Sequence, residues 1–444
     1  MFPFMYIQLV ILRLGNSAGR GFLPDAWQEY VYCGLQVVVI AGFLLHAALF
    51  SRVRSPKARN AVVSAALILC AAGGLTLLFL SPASVYDLIV TGVTVFLLGW
   101  IGGAVYLKAS LLFGTAKHAG LLIGSGYAAA VALQFFTQLQ WNVVPALTAL
   151  LLLSFASLFV SLTGKTQPED LAPEREALPV SGRTLVSAVA VTASFLTFTV
   201  YYTGYIHHLQ ILSDYGAYNV YTWPRLMMIP VVLLFGRLGE VKNGKLLPIG
   251  TFCVAVVAFL NTVLVGRETY TLNMCLYYVA LACVIVYYHL TFLRLAPSTK
   301  RPALWACMGR LLDSAVVLFS FVFRVSVLPT AAVLAVDIAL LVLAVLMMAL
   351  NKDFSLEKPA LQTENAPARI KADPFPVLQE RFGITPAEMN VLRELVLTED
   401  KQDVIADRLN ISVSTVRHHI TSIYRKTDVQ SRAGLCKLTA SCES

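Results

Sequence analysis

One stretch near the C-terminus carries side chains whose spacing suits a surface that reads a nucleic acid. Val416, Ile420 and Ile423 recur at the interval of one helical face, so we predict that this face packs into a core. The same register turns three polar side chains outward: Arg417, His418 and Thr421. An arginine placed there can donate two hydrogen bonds to the edge of a guanine in the major groove. These three residues are our candidates for reading bases.

Hydroxyl and amino groups around the same helix suit hydrogen bonds to DNA phosphates, which position a protein without reading its sequence. The candidates are Lys401, Ser414, Thr415, Tyr424 and Lys426. Between positions 417 and 432 four basic residues accompany a single acid, whereas acids crowd the segment before them. A charge distribution polarised in this way is typical of a DNA-binding face.

Local signals predict the helices that position these side chains. Thr385, Pro386 and Glu388 give a helix cap, a proline in the first turn and a carboxylate at the third position. A second helix is predicted over 401–409, followed by Asn410 as a left-handed turn residue. A third helix, capped by Ser412 or Ser414, runs to about position 426, and a fourth begins near position 431. The second and third helices form a helix-turn-helix.

An ordered series of residues over about 382–438 resembles a known family. The series is Ile384, Thr385, Pro386, Glu388, Val391, Leu392, Val404, Ile405, Ala406, Leu409, Ile411, Ser412, Ser414, Thr415, Val416, Arg417, His419, Ile420, Ile423, Tyr424, Lys426, Val429, Ser431 and Arg432. It is similar to the LuxR-type, also called NarL-type, DNA-binding domain. The resemblance implies a four-helix domain of a transcription regulator that binds double-stranded DNA. Because such domains usually read two half-sites, we expect a homodimer on DNA.

The rest of the chain has the composition of a membrane protein. Of its 444 residues, 57% are apolar and 13% are charged, and 26 of the 59 charged residues lie in the last 93. Eleven apolar runs are long enough to cross a bilayer. They are 30–50, 61–80, 86–106, 119–139, 143–162, 184–206, 218–235, 246–265, 270–293, 304–323 and 327–350. The predicted fold is therefore all-α: a polytopic transmembrane helix bundle followed by a C-terminal helix-turn-helix domain.

A twelfth apolar run, 2–14, is short and contains Arg13. If it also crosses, six runs lie on each side of the polar loop 163–183, a plan that resembles the two-halved major facilitator superfamily. The loop Gly236 to Lys245, GRLGEVKNGK, looks like the glycine- and charge-rich signature loop of that superfamily.

Loop charges predict the orientation of the bundle. Fifteen Lys and Arg residues fall in one set of alternate loops and three in the other, namely Arg20, Arg267 and Arg324. Since cytoplasmic loops collect basic residues, the first set and the C-terminal tail are predicted to be cytoplasmic and the chain to be a multi-pass protein of the cell membrane. The predicted domains are a bundle over 1–350, a flexible tether over 351–376 and the DNA-binding domain over 377–444.

Charged residues within apolar runs mark candidate sites, because a charge in hydrocarbon is costly. Arg225, Asp313 and Asp337 are our candidates for lining a ligand cavity. Alternatively they form ion pairs between helices, and for Asp313 a pair with Arg310 on one helical face is favoured. His46, Asn261 and His289 are uncharged candidates, and the pairs Tyr277-Tyr278 and Tyr287-Tyr288 are expected at the membrane interfaces.

No arrangement of residues predicts a catalytic site, a metal site or a cofactor, and the eight cysteines contain no CxxC pair. The sequence favours a membrane-bound transcription regulator whose bundle senses an unknown small-molecule ligand. The alternative is a secondary transporter with a regulatory DNA-binding tail.

Overall fold

The structure is a computed structural model of the whole chain. It describes residues 1–15, 23–24, 27–50, 55–79, 84–113, 116, 118–139, 144–164, 180–212, 223–262, 270–323, 328–350, 374–398 and 400–441. The chain divides into two compact units, 1–360 and 361–444. Each unit has its own hydrophobic core and is described by itself.

The described elements of the first unit are helices, as the sequence predicts. They are α1 (Phe2–Gly15), α2 (Gln28–Phe50), α3 (Pro56–Phe79), α4 (Val85–Phe113), α5 (Ala119–Leu139), α6 (Val144–Thr163), α7 (Gly182–Leu212), α8 (Met228–Leu238), α9 (Leu246–Thr262), α10 (Tyr270–Leu295), α11 (Pro302–Ala306), α12 (Met308–Val322) and α13 (Thr330–Leu350). Short 3₁₀ segments cover Trp223–Met227, Val241–Gly244 and Ala296–Ser298.

Eight of the described helices are long and apolar enough to cross a membrane. They coincide with eight of the eleven predicted runs, so the described part of this unit is a helical bundle with eight candidate membrane spans. The other three runs are shorter or interrupted. The run 218–235 contains the 3₁₀ segment before α8, the run 304–323 breaks at Cys307, and α9 has 17 residues. Mean apolarity does not reveal such breaks, and the total of eleven or twelve spans stays a prediction.

The core of the first unit is built around α10 and α1. The apolar span Thr271–Ser298, which contains α10, is 78% buried, more than any of the other seven spans. Helix α1 has 14 residues and a length of about 21 Å. Phe4, Tyr6 and Ile7 on this helix are almost fully buried. The first apolar run of the sequence is therefore largely buried inside the unit.

Glycines let α5 and α8 approach each other closely. A Cβ added at Gly120 would lie 2.2 Å from the carbonyl oxygen of Gly236, and one added at Gly124 would lie 2.3 Å from that of Val232. Small residues at such crossings allow backbone contact between helices in an apolar environment. Gly120 and Gly124, which have the spacing GxxxG, thus form a packing motif.

The second unit is a small domain of five described helices: α14 (Pro374–Phe382), α15 (Pro386–Leu397), α16 (Gln402–Leu409), α17 (Val413–Thr427) and α18 (Arg432–Ser441). Four of them match the predicted helices within a few residues. Helix α14 was missed, because Pro374 and Pro376 suggested a tether that reached position 376. Phe375 and Leu378 are instead buried in the core of this domain, and the guanidinium of Arg393 lies 4.9 Å from the Phe375 ring centre.

The close crossing of α5 and α8 gives a first prediction. Gly120→Ala should destabilise the membrane unit by about 1 to 3 kcal/mol, because the new methyl group overlaps the carbonyl of Gly236. Thermal unfolding of the detergent-solubilised protein measures the effect. Gly92→Ala is the matched control, since a Cβ there meets nothing within 4 Å. Equal melting temperatures for the two variants would contradict the packing role.

Candidate nucleic-acid interface and membrane-unit cavity

Two local features fix the direction of α17. Asn410 ends α16 in the left-handed conformation, with φ 56° and ψ 42°. The Oγ of Ser412 then accepts a hydrogen bond of 3.1 Å from the backbone N–H of Thr415, which caps α17. Both features follow from short polar side chains that tolerate or create turns. The predicted turn residue is confirmed, and of the two predicted caps Ser412 is the one used.

Helix α17 has one buried face and one exposed face, as its register predicts. Val416, Ile420 and Ile423 are buried in the core of the domain. The exposed face carries Ser414, Arg417, His418, Thr421 and Arg425. All three predicted base-reading residues therefore lie on one accessible strip. Arg425 also lies on this strip, because eight positions after Arg417 is the same face of the helix. The sequence spacing alone could have identified it.

Arg417 is positioned by a contact between α16 and α17. Its Nε donates a hydrogen bond of 3.2 Å to Oε1 of Gln402. Lys401, Arg417 and Tyr424 line one groove of about 560 Å³, which Asp400 and Asp403 also line. Lys401 and Tyr424, which were predicted to contact phosphates, thus share one surface with Arg417, which was predicted to read bases. The contact from Gln402 could not be foreseen, because it joins residues 15 positions apart.

The other predicted contact residues lie close to the start of α17 or bond within it. The hydroxyl of Ser412 lies 2.7 Å from those of both Ser414 and Thr415. Thr421 donates a hydrogen bond of 3.0 Å to the carbonyl of Arg417. The hydroxyl groups at the start of α17 therefore form a compact polar cluster.

Lys426, which was predicted as a phosphate contact, bonds to other residues of the domain. Its Nζ donates hydrogen bonds to Oε2 of Glu388 at 2.7 Å and to the carbonyl of Gly383 at 2.9 Å. Glu388 also accepts a hydrogen bond of 2.6 Å from Ser422 and completes the capping box with Thr385. Burial by itself would raise the pKa of Glu388, but the hydrogen bonds from Lys426, Ser422 and Thr385 lower that pKa to about 2. The pair stabilises the domain from inside.

Arg432 also has a structural role, which reduces the basic face that the sequence suggested. Its guanidinium donates hydrogen bonds to the carbonyls of Leu395, Asp400 and Thr398. It thereby fastens α18 to the loop between α15 and α16. Among the four basic residues counted between 417 and 432, Arg417 and Arg425 are the two on the exposed face.

The membrane unit contains a cavity of about 680 Å³ that brings together two of the three predicted cavity residues. Arg225, from the 3₁₀ segment before α8, and Asp313, from α12, both line it. Arg310 lines it as well and forms the favoured ion pair with Asp313. The sequence explained Arg310 by that pair alone and so missed its place in the cavity wall.

Asp337 is not among the described residues that line this cavity. It is fully buried on α13, directly after Val336, which packs against a small apolar cluster of Tyr201 and Val333. Neither carboxylate oxygen has a hydrogen-bond partner among the described residues. The structure therefore separates Asp337 from the other two candidates.

The uncharged candidates contact other residues of the bundle. His289 Nδ1 lies 2.8 Å from the carbonyl of Ile285, so Nδ1 carries the proton and Nε2 accepts from the Tyr106 hydroxyl at 3.0 Å. Asn261 donates a hydrogen bond of 2.6 Å to Asn273. His46 is buried with its ring against Trp100.

The two tyrosine pairs of α10 do not form interfacial belts as expected. Tyr278, Tyr287 and Tyr288 are buried, and Tyr277 is partly buried in the core. Among the described residues, five tyrosines line the cavity: Tyr32, Tyr127, Tyr277, Tyr278 and Tyr288. Helix α10 is central, which places its tyrosines inside the protein.

Comparison with known families identifies the small domain. Residues 383–439 match the family described as bacterial regulatory proteins, luxR family. The second unit thus contains a luxR-type helix-turn-helix domain, as the sequence resemblance implied. No match to the chain was found among curated proteins.

The ion pair of Glu388 and Lys426 gives a second prediction. Because the pKa of Glu388 is lower in the folded domain than in the unfolded chain, its charge stabilises the fold at neutral pH, and this stabilisation is lost as the pH falls toward 2. Glu388→Gln should therefore lower the stability at pH 7 and weaken its dependence on pH below about 5. Urea unfolding of the C-terminal unit at several pH values measures both effects. Glu380→Gln, at an exposed position of α14, is the control and should change neither.

Proposed function

We propose that this protein, whose C-terminal domain is a luxR-type DNA-binding domain, is a membrane-bound transcription regulator that binds specific DNA sites while its bundle stays in the membrane. One observation carries the proposal: a domain of this family, with an exposed polar recognition face, shares a chain with eight helices that are long and apolar enough to cross a membrane. The DNA-binding domain must then lie in the cytoplasm, which agrees with the distribution of basic residues among the loops.

In the proposed complex α17 enters the major groove of DNA. Arg417, His418 and Thr421 read bases, since all three are exposed on the same face. The contact from Gln402 to Nε orients the guanidinium of Arg417 and leaves its terminal nitrogens to meet a guanine. Lys401, Ser414, Thr415 and Tyr424 contact phosphates around this helix. Lys426 is assigned to the stability of the domain.

Regulation acts through pairing of two chains. A single domain presents one recognition helix, and useful affinity calls for two half-sites read by two copies. Two bundles side by side in a membrane raise the effective concentration of their DNA-binding domains without any new contact. We propose that a small molecule bound in the membrane unit controls this pairing.

A secondary transporter is the second candidate function, and the cavity with its buried arginine favours it. Uptake measurements in vesicles separate the two functions. A sensor binds its ligand without accumulating it, whereas a transporter fills the vesicle.

Substitution of Arg417 gives the third prediction. Arg417→Ala should cost about 1 to 3 kcal/mol of binding to the specific site and much less on random DNA, because a bidentate contact with a guanine is lost. Lys401→Ala is the matched control, since Lys401 is exposed and lines the same groove. Its loss should weaken binding to all sequences alike and flatten the dependence on salt. Competition binding at several salt concentrations measures both variants, and an equal loss on specific and random DNA for Arg417→Ala would contradict the assignment.

A further inference from the structure

We infer that the cavity of the membrane unit binds a small organic anion with an aromatic body, such as an aromatic carboxylate. This inference deepens the proposed function, because it gives a chemical class to the signal. The volume of about 680 Å³ lies within the range of cavities that enclose small molecules. The choice among ligand classes follows from the charged and aromatic side chains in its wall.

The charged residues of the wall favour an anion. Among the described residues that line the cavity, Arg225 and Arg310 are cationic and Asp313 is anionic. Arg225 is 9% exposed, so its guanidinium lies in a largely water-excluded setting. A guanidinium has five N–H donors, more than a single partner can use, and its planar fork matches a carboxylate.

The arginines also sit where the helices themselves favour negative charge. Arg225 lies in the segment that leads into α8, and Arg310 lies in the first turn of α12. The start of a helix carries a partial positive charge, which a cation nearby increases and an anion compensates. Interrupted membrane helices whose ends point at anionic groups are a known arrangement for substrate sites. Here two such helix starts and two guanidiniums border one cavity.

A cationic ligand fits the same wall less well. Asp313 is already bonded to Arg310, so an incoming cation would have to displace a guanidinium from it. It would also face the charge of Arg225 across the cavity. A ligand carboxylate meets neither obstacle, and it can bond the guanidinium of Arg225 without breaking the pair of Arg310 and Asp313.

The aromatic body of the ligand is inferred from the tyrosines. Tyr127, Tyr278 and Tyr288 are buried, and they line the cavity with Tyr32 and Tyr277. Their rings offer flat apolar faces for offset or edge-to-face contact with another ring. Leu281, Ile285 and Val317 complete an apolar part of the wall. A small anion without a ring, such as acetate, would make little apolar contact with these surfaces.

Calorimetric titration of the full-length protein in lipid nanodiscs tests the inference with benzoate, phenylacetate and indole-3-acetate. Each carboxylate is compared with its amide, and acetate and phenethylamine complete the set. We expect at least one aromatic carboxylate to bind about tenfold or more tightly than its amide and than acetate, because charge-assisted bonds to a guanidinium are lost in the amide. Arg225→Gln should weaken that binding at least about tenfold.

Two further variants show whether a loss of affinity comes from the guanidinium of Arg225. Arg225→Lys retains the charge but loses the planar fork, so its affinity should fall between those of the wild type and Arg225→Gln. Arg301→Gln, at an exposed position before α11, is the control and should bind like the wild type. Melting temperatures of all variants verify that they are folded.

Three outcomes would overturn the inference. They are equal affinity for carboxylate and amide, tighter binding of phenethylamine, and no binding of any carboxylate up to about 10 mM. DNA binding by the same preparation is measured separately. Carboxylate binding without DNA binding would contradict the proposed function but support the cavity site. DNA binding without carboxylate binding would contradict the cavity site but support the proposed function.

Discussion

The apolar surroundings expected for the eight long apolar helices of the first unit are the constraint on which the rest of the protein depends. A bilayer offers no water to backbone N–H and C=O groups, so every segment that crosses it must satisfy them internally, and a helix does so. Association between these helices then depends on close packing, as at the crossing of α5 and α8. The same constraint makes each charge inside the unit costly. Three of these charged residues, Arg225, Arg310 and Asp313, line one cavity.

The small domain follows the opposite rules, because it carries many charged side chains on its surface. Its helices are short, and three of them depend on local chemistry at one end: the capping box of Thr385 and Glu388, the left-handed Asn410 and the cap by Ser412. Internal bonds from Lys426 and Arg432 then join the helices to one another. With those two cations used for stability, the recognition face is left to Arg417 and Arg425 and to neutral polar groups. This division separates the residues that hold the domain together from those available to DNA.

Sequence reasoning succeeded where the signal was local. Eight long apolar runs became helices of membrane-spanning length, and the register of Val416 and Ile420 placed Arg417 on an exposed face. It failed where partners are distant in the chain. Glu388 precedes Lys426 by 38 positions, and the rings of Tyr287 and Tyr288 are buried because α10 is central, which its composition does not reveal. Helix α14 was not predicted, because Pro374 and Pro376 are acceptable in the first turn of a helix as well as in a linker.

The most direct test of the central claim is recovery of cross-linked DNA through tags at the two ends of the intact protein. An N-terminal tag follows the membrane unit, and a C-terminal tag follows the DNA-binding domain. If the domain acts while it is joined to the bundle, both tags should enrich the same sites in cells, and Arg417→Ala should abolish the enrichment with either tag. Enrichment with the C-terminal tag alone would show that a released fragment binds DNA and would contradict the proposal of a membrane-bound regulator.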